Sequence, residues 1–383
     1  MTVPMPLPVV ILGAGAVTAV GDDLVSTCAA MRAKFNNHKE TDFVDQDWNP
    51  IVGSHAAIDS ALMDEGRLVE MAVCAIQQLF RPMNVEQLSN IPWLLCTPEE
   101  SRVGRPADDK ALMGRIAQRL GMTKVHEASC VLPHGRTAGL LALSLAQTLL
   151  GIGKHKKILL LATDSLIDAD GLADLEEKAL LLTPENPQGF IPGEAAVALL
   201  LGPLEVRIKH RTATATPPRL SMVYDSAAFA NTDPEAIPAQ SRPGAKNRKP
   251  IPIDGMELAA AIQAACEQSA CTPEDISVRL ADCNGTEAGF KESGLAEARA
   301  FQSSELPMPA LWLPAESLGE IGAAFAPLSI AWAWHAAIKG YLPGLPEAPI
   351  AAPNLAKHKA RTLIHTTNAD GLRGAAIFHF SEI

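Results

Sequence analysis

The 383-residue chain has no cluster of lysine and arginine with aromatics set between them. Its 32 basic residues are outnumbered by 43 acidic ones, for a net charge of −11. That balance argues against a nucleic-acid-binding surface. No apolar run reaches the ~20 residues a membrane span needs; Val9-Val-Ile-Leu12 is the N-terminal candidate, and Gly13 breaks it at once. No membrane partner is expected. Met1 to Pro8 holds three prolines and no basic residue, which does not fit a secretory leader, and a cytoplasmic location is expected. The seven cysteines, at 28, 74, 96, 130, 266, 271 and 283, are odd in number and include no Cys-x-x-Cys pair. Reduced thiols are the simplest reading, with neither a disulfide framework nor a zinc site. The ten histidines lack metal-ligand spacing, so neither metal nor cofactor is expected.

What is present is a globular composition, 48% hydrophobic and 20% charged, on a chain long enough for two domains or one duplicated one. Strands and helices alternate. Val9 to Leu12, stopped by Gly13-Ala-Gly15, reads as a buried parallel strand, and Trp93 to Cys96, Ile158 to Ala162 and Ala195 to Leu201 are further apolar runs of buried strand type. Arg67 to Phe80 carries its apolar residues on one helical face. Thr137 to Leu150 is apolar nearly all round, so a deeply buried helix is expected there. Lys209 to Pro252 reads as loop around a strand at Leu220 to Tyr224. A second cycle follows, with helices at Asp254 to Gln268 and Ala323 to Ile338. Its strands fall at Val278 to Ala281, Leu363 to His365 and Ala375 to Phe380. Two cycles of half the chain each point to an α/β protein with a duplicated fold, 1–205 and 206–383.

Several segments in order resemble the ketosynthase branch of the thiolase superfamily. Val9 to Thr18 with Val20-Gly21 is similar to that family's opening strand and turn. Gly135-Arg136-Thr137-Ala138-Gly139 resembles the Ala-Cys-x-Ser-Gly turn that opens a buried helix. Ala162-Thr-Asp-Ser-Leu166, Leu181-Leu-Thr-Pro184 and Gly189-Phe-Ile-Pro-Gly-Glu-Ala-Ala196 resemble the stretch ending in the Gly-Phe-x-x-Gly-Glu signature. Pro252 to Gly255, Pro273-Glu-Asp-Ile276 and Asn284-Gly-Thr286 resemble the approach to the first catalytic histidine. Ser317-Leu-Gly-Glu-Ile-Gly-Ala-Ala324 resembles the loop holding the second, and Asn368 to Gly374 the C-terminal glycine-rich loop. The resemblance implies a thiolase-like five-layer α-β-α-β-α fold of two similar halves, usually homodimeric. The segment Lys124 to Ser129, expected as a strand, would lie at the two-fold interface.

Carried over residue by residue, the resemblance puts Arg136 at the nucleophilic cysteine, Asn284 at the first histidine and Glu320 at the second. Glu316 stands near a lysine position, in a segment one residue short. Arginine stays protonated and forms no thioester. Asn284 can donate a hydrogen bond but moves no proton near pH 7. An ionised Glu320 repels the malonyl carboxylate a histidine would attract. Three losses together point to a pseudoenzyme. Two fallback groups for a rebuilt site are Cys130 and His134. Pro133 stands against carrying the helix back to Cys130, for which an inert buried thiol is the simpler reading. His134 reads more simply as a surface or capping group. Glu194 reads as a buried structural carboxylate, and Asp164 as a helix N-cap.

The expected function is a non-catalytic adaptor or partner subunit. It would dimerise with itself or with a ketosynthase-like paralogue, and an effector or carrier protein is a further candidate partner. Chain-length factors of polyketide synthases keep the fold without the cysteine, and this chain departs from them in its shortness and its lost histidine positions. It leans instead toward thiolase-like proteins encoded beside type VI secretion spike and effector genes. The alternative is an active acyltransferase or acyl-thioester hydrolase using Cys130 or His134. A last expectation is electrostatic. A cation at a helix N-terminus needs a partner, so Arg136 should pair with Glu320 or Glu316, with Asn284 nearby.

Overall fold

Successive residues of the central strands enter two different cores, both dry. In Glu194–Pro203, residues Ala195, Val197, Leu199 and Leu201 join a central cluster, while Ala196, Ala198 and Leu200 join an outer one. Ile158–Ser165 divides likewise, with Leu160 and Ala162 inward and Leu159 and Leu161 outward. Because side chains alternate across a strand, a stretch dry on both faces is expected to be apolar, and Ile158–Ala162 and Ala195–Leu201 are; the buried Asp164 and Glu194 stand at the ends of these runs.

The structure, a computed structural model, describes residues 7–59, 61–80, 84–204, 220–231, 253–302, 304, 307–345 and 360–382. The first cycle comprises β1 (Val9–Thr18), α1 (Leu24–Arg32), β2 (Lys39–Val44), β3 (Pro50–Gly53), α2 (Asp64–Leu79), α3 (Val85–Ser89), β4 (Trp93–Cys96) and α4 (Asp109–Arg119). It continues through β5 (Cys130–Leu132), a 3-10 turn (Gly135–Thr137), α5 (Ala138–Gly151), β6 (Ile158–Ser165), α6 (Ala169–Glu177) and β7 (Glu194–Pro203). The second holds β8 (Leu220–Asn231), α7 (Met256–Gln268), β9 (Ile276–Ala281), α8 (Glu287–Ala300), β10 (Ala310–Trp312) and α9 (Ala315–Leu318). A 3-10 turn (Gly322–Ala324) then leads to α10 (Phe325–Ile338), β11 (Arg361–Thr367) and β12 (Leu372–Glu382).

Outward from the centre, one leaf of the sheet runs β1-β7-β6-β4-β5 and the other β8-β12-β11-β9-β10. In both, the first strand lies beside the fifth, then the fourth, second and third. Pairing direction also repeats: antiparallel for the two inner contacts, parallel for the two outer ones. The duplication is therefore topological. The two leaves are not separate sheets; they join through the antiparallel pairs Val9↔Tyr224 and Val10↔Val223. The expected boundary after residue 205 lies outside the described residues.

Five layers result. Helices α2 and α4 cover the outer face of the first leaf, and α7 and α8 that of the second. Helices α5 and α10 lie between the leaves, α5 against β4, β6 and β8, and α10 against β7, β8 and β11. α10 is buried almost throughout. α5 is not: Thr148 and Gly151 are exposed, and the buried face is Ala138, Leu140, Ala142, Leu143, Ala146 and Leu150.

Three sequence expectations need correction, and one hairpin was not expected at all. β1 is antiparallel to both its neighbours rather than parallel, and it does not stop at Gly13-Ala-Gly15 but runs on to Thr18 with one register irregularity. Gly15 is there because α2 crosses so close that a Cβ would overlap the Ala75 carbonyl oxygen, leaving room for no side chain. The strand expected at Leu220 to Tyr224 extends to Asn231; of the loop expected over Lys209 to Pro252, residues 209–219 and 232–252 lie outside the described residues. The segment Lys124 to Ser129 is not a strand; the strand ahead of Arg136 is β5. The β2–β3 hairpin went unread, since Lys39–Val44 alternates only weakly between exposed and half-buried positions.

Candidate functional site

Arg136 projects from the turn that opens α5, and that turn is stitched from three sides. The Gly135 N–H donates to the Thr97 carbonyl (3.0 Å). The Asn368 side chain bridges it, accepting from the Thr137 N–H (3.3 Å) and donating to the His134 carbonyl (2.6 Å). The Thr137 and Thr366 hydroxyls meet at 3.0 Å. With the backbone fixed, the Arg136 Nη1 lies 3.3 Å from Glu320 Oε2 and 3.5 Å from Asp282 Oδ2, and also reaches the Asp282 carbonyl at 3.5 Å. Its side chain is 21% exposed. Burial by itself would loosen the proton, but the carboxylates of Glu320, Asp282, Glu99 and Glu292 outweigh it and push the pKa above the usual guanidinium value. A helix N-terminus disfavours a cation; two adjacent carboxylates offset that here.

Glu320 owes its place to backbone pairing. Its N–H donates to the Ile191 carbonyl and its carbonyl accepts from the Gly193 N–H, both at 2.8 Å. The loop that carries Glu320 thus forms a parallel bridge with Pro192 of the Gly189–Glu194 segment. Gly319 at φ +67° is in the left-handed region, and a Cβ there would overlap the Ile191 carbonyl. The Glu320 carboxylate is nearly saturated: Oε1 accepts from the Gly322 N–H (2.9 Å) and Oε2 from Asn284 Nδ2 (2.6 Å). Asn284 is oriented in turn by Thr286, whose hydroxyl (3.0 Å) and N–H (3.3 Å) donate to its Oδ1. Asp282 accepts from the Thr367 N–H (2.6 Å) and hydroxyl (3.0 Å).

The structure therefore brings Arg136, Asn284 and Glu320 into one network and leaves Glu316 out. Glu316 is half exposed and faces Lys34 at 3.4 Å. Cys130 is half-buried in β5, level with Leu94 of β4, and burial raises its thiol pKa. His134 occupies the capping position of the 3-10 turn, but its ring makes no capping bond. Among the described residues no hydrogen bond links a cysteine to a histidine.

Asp164 is not the cap of the helix that follows it; Asp168 caps α6, accepting from the Gly171 N–H (2.8 Å). Asp164 lies fully buried in β6, where Arg102 pairs with it (2.7 Å) and the Ala323 N–H of the turn before α10 donates to it (2.7 Å). Burial raises its pKa to about 6 against the pull of Arg102. Glu194 is also fully buried and accepts from Arg67 Nε (2.6 Å), the Ala56 N–H (2.7 Å) and the Ser165 hydroxyl (3.0 Å). Burial raises its pKa, but His55, Arg67 and Ala56 outweigh that and hold it below the usual value. Sequence reasoning missed Asp282, Asn368 and Arg102. Asp282 and Asn368 directly follow strands β9 and β11, where α/β sheets place functional groups, and that position was the available signal.

No protein-family model matches the chain, and no curated protein matches it in sequence. Solved structures do match along its length. One is "The ishigamide ketosynthase/chain length factor": TM-score 0.70, 16% identity, covering 98% of this chain and 99% of that one. A second is a type II polyketide acyl carrier protein in complex with its ketosynthase: TM-score 0.69, 13% identity, covering 98% and 100%. A third is a β-ketoacyl synthase from Burkholderia phymatum STM815: TM-score 0.66, 16% identity, covering 98% and 100%. The chain has the thiolase-like ketosynthase fold.

Proposed function

We propose that this protein is a non-catalytic ketosynthase-like adaptor or partner subunit in which an ionic clasp occupies the reaction centre. The observation that carries the reading is the placement of the Arg136 guanidinium 3.3 Å from Glu320, with Asn284 on the same carboxylate at 2.6 Å. These three residues stand at the positions the resemblance assigns to the thiol and the two imidazoles. A guanidinium tied to two carboxylates carries no acyl group, and a saturated carboxylate stabilises no enolate.

The partner is a second copy, a ketosynthase-like paralogue, a carrier protein or an effector. The carrier protein in one matched structure makes carrier proteins the first candidates to test. Loss of both histidine positions with the cysteine favours the group encoded beside type VI secretion genes, so co-purification with a secretion effector is the second test. The acyltransferase alternative uses Cys130 or His134; among the described residues no base hydrogen-bonds Cys130, and no hydrogen bond joins the His134 ring to a cysteine. Intact-mass analysis after exposure to an acyl-thioester, and to a cysteine-directed ketosynthase inhibitor, decides between the readings. No adduct is expected. A stoichiometric adduct on Cys130 would sink the adaptor reading.

A further inference from the structure

Helix α7 ends in a Schellman turn whose two contacting positions are both cysteines. Ala270 takes φ +47°, its N–H donates to the Glu267 carbonyl (3.1 Å), and the Cys271 N–H donates to the Cys266 carbonyl (3.0 Å). This bond pair folds the residue two past the cap back onto the third-last helical residue, where two apolar side chains ordinarily touch. Cys266 and Cys271 are each 8% exposed and belong to the outer cluster of the second leaf. The turn is also anchored from the sheet. The Ser226 hydroxyl of β8 donates to the Ala265 carbonyl (2.9 Å) and meets the Ser269 hydroxyl at 2.6 Å.

We propose that Cys266 and Cys271 form a redox modification site, a paired dithiol that a small hydroperoxide converts to an intramolecular disulfide. The two thiols are not equivalent. The Cys266 thiol beside it and the charge of Arg361 lower the Cys271 pKa against the burial that would raise it, while the same neighbour and burial raise that of Cys266. The Schellman turn sets the two sulfurs against each other, and in the proposed step Cys271 attacks. Its thiolate takes the outer oxygen of the peroxide and the O–O bond breaks. The departing hydroxide or alkoxide picks up a proton and leaves as water or alcohol, with Cys271 now a sulfenic acid. Cys266 then attacks the Cys271 sulfur, its proton goes to the leaving hydroxyl, the S–O bond breaks, and water departs as the S–S bond forms. Two thiols lose two electrons and one peroxide gains them.

The other five cysteines serve as internal controls. Cys28, Cys96 and Cys283 are buried, and burial raises their thiol pKa values. Cys74 and Cys130 are half-buried, so accessibility alone would favour them.

The test is a cysteine map of the whole protein after mild hydrogen peroxide, alkylation and digestion. The expected result is a Cys266–Cys271 link, seen as a loss of about 2 Da, reversed by dithiothreitol, while Cys74 and Cys130 remain alkylatable. In Cys266→Ser, dimedone should trap a sulfenic acid at Cys271. The proposal is overturned if both cysteines stay alkylatable while Cys74 or Cys130 oxidises. It is equally overturned if Cys271 passes to the sulfinic acid with no link. The wild-type map decides the matter even where the serine variant fails to fold.

Discussion

The guanidinium of Arg136 and the carboxylate of Glu320 face each other at 3.3 Å across residues 184 apart in sequence, one from each topological repeat. A charge pair across the two leaves couples the turn of α5 to the loop before α10. Breaking it by Arg136→Cys leaves Glu320 and Asp282 with excess negative charge. The pair is partly exposed and long, so the cost is expected at about 1–3 kcal/mol, below the range for a fully dry pair. Urea unfolding of the Arg136→Met, Glu320→Gln and double variants measures the coupling; additive single effects would mean no clasp. Arg136→Cys should also gain no condensing activity while Asn284 and Glu320 remain.

A stronger ion pair lies away from that centre. Arg67 meets the fully buried Glu194 at 2.5 Å, and Ala56, Ser165 and His55 are the carboxylate's other partners. Arg67→Met strands a buried charge, and a loss of about 3–5 kcal/mol is expected. Thermal unfolding checks it. A loss under about 1 kcal/mol would mean that water reaches Glu194.

The sequence held most of this fold, for identifiable reasons. The apolar runs of β6 and β7, Ile158–Ala162 and Ala195–Leu201, and the long helix α10 were legible because both of their faces are dry. The β2–β3 hairpin was not, since its residues bury little. The glycines of β1 misled, because close approach of α2 and chain termination leave the same letter in a sequence. At the site, Arg136, Asn284 and Glu320 were legible as departures from a resemblance. Asp282 was invisible to that method because it replaces nothing expected; only its place at the end of β9 marked it.

Asp164 sets an opposite pH dependence to Glu194. Its folded pKa of about 6 lies above the unfolded carboxylate value, so the folded state binds the proton more tightly. Its ionisation therefore costs stability as pH rises from about 4 to 6, by on the order of 2 kcal/mol. Glu194, held below its unfolded value, stabilises above about pH 4.5, and that stability is lost as pH falls through its lower folded pKa. Relative to Asp164→Asn, the wild type should lose stability between pH 4.5 and 7. Parallel curves for the two proteins in denaturant melts would count against the assignment.

Gly193 tests how the Glu320 loop is held. A Cβ at that position would overlap the Leu318 carbonyl, and its N–H donates to the Glu320 carbonyl at 2.8 Å. Gly193→Ala should push the loop off the Gly-Phe-x-x-Gly-Glu segment and destabilise by about 1–3 kcal/mol. It should also release Glu320 from Arg136, so that a following Arg136→Met costs less than in wild type. Equal costs in both backgrounds would separate the loop contact from the clasp.

Assembly is the last expectation. β5 is the terminal strand of the first leaf and pairs only with β4 among the described residues. An edge strand presents unpaired backbone groups and invites a second chain. It lies directly before the turn of Arg136, so a two-fold partner here would brace the turn that carries the clasp. A stable pair of this kind buries more than about 2,000 Å². Light scattering should give twice the 40.6 kDa chain mass at micromolar concentration, with amides of 124–132 protected from exchange in the dimer. A monomer at that concentration would sink the homodimer; the heterodimer would then be tested by mixing with a ketosynthase-like paralogue. A dimer whose 124–132 amides exchange as in the monomer would place the interface elsewhere on the molecule.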